Sequence, residues 1–201
     1  MPVDPNRESW KPGMPWEKAL DDMDYVKEIA KELGGEERVK RQHSGGRYTI
    51  RERIDKMLDP GSFLEAGPMV GAAEFDDDGN LTEFTPGAFV MGLGEIEGRS
   101  VAIGGDDFTI SGGSPHNVSK GPRQFTIPLS IQYGIPYIHL VEGVGHSAKK
   151  DEASGHMGLP DGGQWWHFAE LMRNVPVAAG VMGSVAGAPA AHALMSHFTV
   201  M

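Results

Sequence analysis

Two short glycine-bearing segments carry the residues best suited to chemistry. Glu142-Gly-Val-Gly-His146 follows the apolar run Pro136-Tyr-Ile-His-Leu-Val141, and Gly183-Ser-Val-Ala-Gly187 runs into a helix-like stretch at 188–196. A turn that opens a helix leaves N–H groups without partners, and the helix dipole strengthens their pull on a negative oxygen. Two such groups from neighbouring loops, aimed at one point, would make an oxyanion hole. That arrangement suits a thioester carbonyl that becomes an enolate. The same residues also fit ordinary turns of an α/β domain, and spacing alone leaves both readings open.

Other constellations are weaker. His146 either acts on a substrate or is a loop histidine without a role. His192 and His197 are five apart, not the i, i+4 pair of a helical zinc site, and His139 falls within a strand-like run, so no metal is expected. Asp76, Asp78 and Asn80 have the spacing of a calcium loop. However, Leu81 stands where that loop needs glycine, and no glutamate closes it. Gly183-Ser-Val-Ala-Gly187 puts its serine one place too early for a nucleophile elbow, and there is no phosphate loop for ATP.

The elements around these residues follow from periodicity. Residues 1–15 read as an extended arm. Apolar residues from Trp16 to Leu33 keep helical spacing until Gly34-Gly35, and the charged span 36–47 reads as a linker. Thr49 and Glu52 form a capping-box pattern for a short helix that ends at Asp59-Pro-Gly61. Residues 88–97 and 100–108 are two strands joined at Gly98-Arg99. A helix at 117–133 is weakened by Pro122 and Pro128. Strand 136–141, a loop at 147–163, helix 164–174, strand 175–182, the turn 183–187, helix 188–196 and a last strand from Phe198 complete the order. Trp165-Trp166 would pack that helix on the core or on a subunit interface. Alternating strands and helices imply crossover units and a largely parallel sheet, with ligands at the carboxyl ends of the strands.

Composition bounds the class. The 201 residues include no cysteine, which excludes disulfide frameworks, thiol nucleophiles and cysteine-bound metals. Eighteen basic against 28 acidic residues give a net charge of −10, which argues against general nucleic-acid or anionic-membrane binding. Twenty-eight glycines imply many tight turns or close backbone approach to a ligand. No apolar leader or membrane span is read, so the expected address is the cytoplasm.

Several motifs together resemble the carboxyltransferase (beta) subunit of biotin-dependent acyl-CoA carboxylases of the propionyl-CoA and methylcrotonyl-CoA type. They are Gly46-Arg-Tyr-Thr-Ile-Arg-Glu-Arg-Ile-Asp55, Leu58-Asp-Pro-Gly-Ser-Phe63, Glu97-Gly-Arg99, Asp107-Phe-Thr109 with Gly112-Gly-Ser114, and Phe198-Thr-Val-Met201. The resemblance runs from about Gly45 to Met201 and concerns the N-terminal part of such subunits. It implies an α/β, crotonase-like fold of ββα units with a largely parallel sheet. An N-terminal helical arm would occupy 1–47 and the carboxyltransferase N-terminal domain 48–201.

The resemblance further implies an acyl-CoA-binding half that helps move carboxylate from carboxybiotin to the α-carbon of the acyl group. Gly145, His146, Gly187 and Ala188 would hold the thioester oxygen, and Gly143, Gly112 and Gly113 would line the substrate. Arg51 and Arg53 would meet CoA phosphates, although the basic set Lys40, Arg41, Arg47, Arg51 and Arg53 also fits a solvated helix face paired with Glu52 and Asp55. Biotin would arrive on a separate carrier protein, served by a biotin carboxylase component. A second carboxyltransferase half and a ring-shaped oligomer are implied as well. The family's first turn usually reads Asp-Ser-Gly-Gly-Ala-Arg, so Val144 replaces a glycine, and a β-branched residue resists positive φ. The alternative is a non-catalytic assembly subunit that keeps this fold.

Overall fold

The computed structural model describes residues 1, 3–114, 120–145 and 162–201. Three helices come first: α1 (Trp16–Lys31), α2 (Glu36–Ser44) and α3 (Ile50–Met57). The strands are β1 (Leu64–Glu65), β2 (Gly71–Phe75), β3 (Leu81–Pro86), β4 (Phe89–Ile96) and β5 (Arg99–Asp106). A 3₁₀ turn at Ser111–Gly113 precedes α4 (Lys120–Tyr133) and β6 (Tyr137–Gly143). Then come α5 (Gly162–Asn174), β7 (Val177–Val185), α6 (Ala188–Met195) and β8 (Phe198–Val200).

Six strands form one sheet in the order β1-β4-β5-β6-β7-β8, and β2-β3 is a separate hairpin. β1, β4 and β5 pair antiparallel, whereas β5-β6, β6-β7 and β7-β8 pair parallel. Tyr137–Val141 and Val177–Val181 lie side by side, parallel and in register.

The strands alternate their apolar residues between two faces, as the two-residue period requires. Val101, Ile103 and Leu140 join Ile50, Ile54 and Leu58 of the α3 region in one core. Ala102, Tyr137 and Val177 face the other way, onto Ile127 of α4 and Phe168 and Leu171 of α5. A Cβ at Gly105 would collide with Ile50 and Leu140, so that glycine lets α3 settle on the sheet.

α3 begins with the full capping box: Thr49 accepts from the Glu52 N–H, and Glu52 accepts from the Thr49 N–H at 2.7 Å. Pro128 sits inside α4 and leaves one helix bond unmade.

Two expectations differ from the structure. The span read as a linker is helix α2, with Gln42 buried. The turn placed at 183–187 starts later, because β7 continues to Val185 after a bulge that pairs Gly143 with Val185. The N-terminal arm packs on the β2-β3 hairpin, where Val3 is buried and the Met1 ammonium donates to the Phe84 carbonyl at 2.9 Å. Among the described residues, no helix is long and apolar enough to cross a membrane.

Candidate active site

The two glycine turns meet at the carboxyl ends of β6 and β7. The Ala186 N–H donates to the Gly143 carbonyl at 2.9 Å. A Cβ at Gly145 would sit 2.8 Å from the Ala186 carbonyl oxygen, closer than side chains tolerate. Gly145 has φ +73° and Gly187 φ +68°, so both use the left-handed region that glycine allows. Val144 does not. The turn places its left-handed residue at Gly145, and the β-branched side chain meets no backbone strain.

Gly187 caps α6 without a side-chain bond, and Pro189 occupies the first turn. The N–H of Ala188 therefore opens the helix with no capping side chain in front of it. Among the described residues, no carbonyl accepts from the N–H of Gly145, Gly187 or Ala188.

A third backbone segment closes on the same place. The Val144 N–H donates to the Gly112 carbonyl at 3.0 Å, and Gly113 lies directly against Glu142 and Gly143. Five of the expected site residues, Gly143, Gly145, Gly187, Gly112 and Gly113, thus share one locality with Ala188. His146 lies outside the described residues.

Arg51 and Arg53 are placed differently. Arg51 forms a two-pronged pair with Glu65, both bonds 2.8 Å, and Arg53 reaches Glu142 at 2.6 Å. Their guanidiniums are thus engaged within the chain, and they do not form the solvated face paired with Glu52 and Asp55. Glu52 instead caps α3 and meets His43 at 2.9 Å.

The sequence reading missed the buried polar frame beneath the turns. Glu142 has a side chain 1% exposed and is met by Arg47, Arg53 and the Gln42 amide at 2.7, 2.6 and 3.1 Å. A Cβ at Gly183 would collide with the Glu142 carboxylate, so this side chain also fixes β7. The Glu142 N–H donates to Asp106 at 3.2 Å, and Asp106 faces the buried His139 at 4.0 Å. The available signal was a carboxylate at the end of each of two apolar strands, Asp106 and Glu142. Charges there must be paired.

Asp107 is buried beside this frame, and its Oδ1 accepts from the Thr109 N–H and hydroxyl at 2.9 and 2.6 Å. Burial, reinforced by the nearby Glu142 charge, pushes its carboxyl up to about 6, against the pull of the Thr109 bonds and of Arg51. Among the described residues, no group of three or more metal-ligating side chains comes together. The turn at 76–80 is the β2-β3 connection, where Asp76 accepts from the Asn80 N–H at 2.7 Å.

Comparison with known proteins adds a family. The description "Carboxyl transferase domain" matches residues 41–201. The beta1 subunit of a biotin-dependent 3-methylcrotonyl-coenzyme A carboxylase from Mycobacterium tuberculosis is 33% identical over 164 residues, covering 76% of this chain and 28% of that one. The carboxyltransferase subunit of a propionyl-CoA carboxylase from Haloferax mediterranei is 29% identical over 195 residues, covering 94% and 36%. Among solved structures, the transcarboxylase 12S hexamer with methylmalonyl-coenzyme A bound superposes with a TM-score of 0.76 at 26% identity. The match covers 94% of this chain and 36% of that one. The beta subunit of a P. aeruginosa geranyl-CoA carboxylase, with a TM-score of 0.70 and 17% identity, shares the fold. The chain spans about a third of the length of these relatives. The expected α/β crotonase-like fold with an N-terminal helical region agrees with these neighbours.

Proposed function

We infer that this chain, which belongs to the carboxyl transferase domain family, is the acyl-CoA-binding half of a biotin-dependent carboxyltransferase. Its contribution is to hold the thioester oxygen with backbone N–H groups while the α-carbon gains a carboxylate. When the α-proton leaves, negative charge moves onto that oxygen. Donors already aimed at it stabilise this charge more than they stabilise the ground state. The Ala188 N–H, supported by the α6 dipole, is the principal donor, and Gly145 supplies the second from the adjoining turn. Gly143, Gly112 and Gly113 give the substrate a wall of bare backbone.

Carboxybiotin on a carrier protein, charged by a biotin carboxylase component, would supply the carboxylate by breaking its N–CO₂ bond, and the ring nitrogen so released would take the α-proton. A second crotonase-like half, from further chain or from a partner, completes the site within an oligomer. The observation that carries this reading is the uncapped start of α6 at Gly187-Ala188, seated against the left-handed Gly145.

The test is Ala188→Pro. Proline deletes the donor yet suits the first position of a helix. The folded variant should turn over acyl-CoA about 10²–10³-fold more slowly in the reconstituted assembly. Unchanged turnover with native circular dichroism would refute the assignment.

A further inference from the structure

The ladder between β6 and β7 falls out of step just before the two glycine turns. Val141 pairs with Val181, but Gly143 pairs with Val185, so Glu142 stands opposite three residues, Met182, Gly183 and Ser184. Regular pairing therefore does not set how far the Gly143–Gly145 turn lies from the Gly187-Ala188 turn. Irregularities of this kind gather beside functional sites, where they re-aim the chain that follows. One side chain occupies the irregularity. The Glu142 carboxylate lies against Gly183, where an added Cβ would collide with it. Gly183 is not among the glycines with positive φ, so this contact, and not the backbone, calls for glycine there.

The Glu142 carboxylate is itself held from several sides. Arg47 meets Oε1 at 2.7 Å, while Arg53 and the Gln42 amide meet Oε2 at 2.6 and 3.1 Å. The Glu142 N–H donates to Asp106 at 3.2 Å, and Gly113 lies directly against the Glu142 carbonyl. With its side chain 1% exposed, Glu142 is buried beneath the turns and out of a substrate's reach. Stability alone does not account for such a group, because apolar residues of similar volume often replace a buried ion pair without loss. What a charge clamped by three donors does supply is a fixed position. Catalytic donors need that, since a misplacement of about 1 Å can cost about 10²-fold in rate.

We propose that Glu142 is a positioning residue: it sets the gap between the two turns, and so the joint aim of the Gly145 and Ala188 N–H groups at one thioester oxygen. The proposal rests on the function inferred above. Two substitutions disturb that gap from opposite sides. Glu142→Gln leaves one acceptor oxygen, so its amide NH₂ must face either Arg47 or the Arg53 and Gln42 donors, and the clamp cannot be kept. Gly183→Ala pushes on the same gap from β7 with every charge retained.

The experiment records the infrared carbonyl stretch of ¹³C-labelled acetyl-CoA, free and at saturation on the 201-residue chain. The variants are Glu142→Gln, Gly183→Ala and, as a control for lost stability, Ile29→Ala, which opens the separate core of Ile29 with Val3 and Phe84. The unaltered chain should lower the bound stretch. Glu142→Gln and Gly183→Ala, each folded by circular dichroism, should lose about half or more of that lowering, and Ile29→Ala should keep it. If Glu142→Gln fails to fold, Gly183→Ala decides the matter. A folded Glu142→Gln or Gly183→Ala chain with the full lowering would overturn the positioning role and leave the thioester reading intact. So would a loss of equal size in Ile29→Ala, or a folded Glu142→Gln chain that no longer binds acetyl-CoA. No lowering in the unaltered chain would instead defeat the thioester reading, and this proposal with it.

Discussion

Asp107 shows how one buried group ties the site to pH. Its carboxyl is raised to about 6 by burial, with the Glu142 charge adding to it and Thr109 and Arg51 opposing it. Below about pH 4 the side chain is protonated whether the chain is folded or unfolded, and it contributes no difference. Between about pH 4 and pH 6 the folded chain keeps a proton that the unfolded chain has lost, so stability falls as pH rises. Above pH 6 the whole penalty, roughly 3 kcal/mol, is in place. Asp107→Asn keeps an acceptor for Thr109 and removes the titration. Urea unfolding at pH 4 and pH 7 should show a smaller stability difference in the variant than in the parent. An unchanged difference would mean that Asp107 does not titrate as assigned. None of this was legible from the Asp107-Phe-Thr109 motif, because the raised value comes from burial and from groups far away in the chain.

At the scale of elements, Glu142 joins four pieces: Gln42 of α2, Arg47 before α3, Arg53 of α3, and β7 at Gly183. Removing one partner of a buried ion pair leaves the other charge uncompensated, at a cost of about 3–5 kcal/mol. Glu142→Gln should therefore lower unfolding stability by about 3 kcal/mol, the low end of that range, since an acceptor remains. Glu142→Gln/Arg53→Met should recover much of that loss, because replacing both partners is often close to neutral. Chemical denaturation of the full double-mutant cycle checks this, and strictly additive losses would show that the two side chains are not coupled.

The same elements show what periodicity could and could not reveal. The β6 and β7 strands announced themselves as apolar runs ending at glycines, and Thr49-Glu52 announced α3. Helix α2 stayed hidden because it turns only Val39 and Gln42 toward the protein, too few to set an apolar period. The reach of β7 to Val185 is fixed by its pairing with Gly143, a tertiary contact that no local pattern encodes.

At the scale of the whole molecule, three segments distant in sequence converge on one place, where under the proposed function two of them polarise a thioester carbonyl and the third walls it. Gly112-Gly113, Gly143–Gly145 and Gly187-Ala188 were legible as glycine clusters. Their convergence comes from the parallel order β5-β6-β7, which brings successive strand ends to one edge. Trp165 and Trp166 divide their roles at this scale, since Trp165 rests its ring 5.0 Å from that of the buried His192 while Trp166 is 76% exposed. The most direct measurement is the infrared carbonyl stretch of acetyl-CoA labelled with ¹³C at its thioester carbon, recorded free and bound to the chain. Hydrogen bonds from two backbone donors should lower the bound stretch, and Ala188→Pro should return it most of the way to the free value. A bound carbonyl that absorbs where the free one does in the unaltered chain would contradict the account.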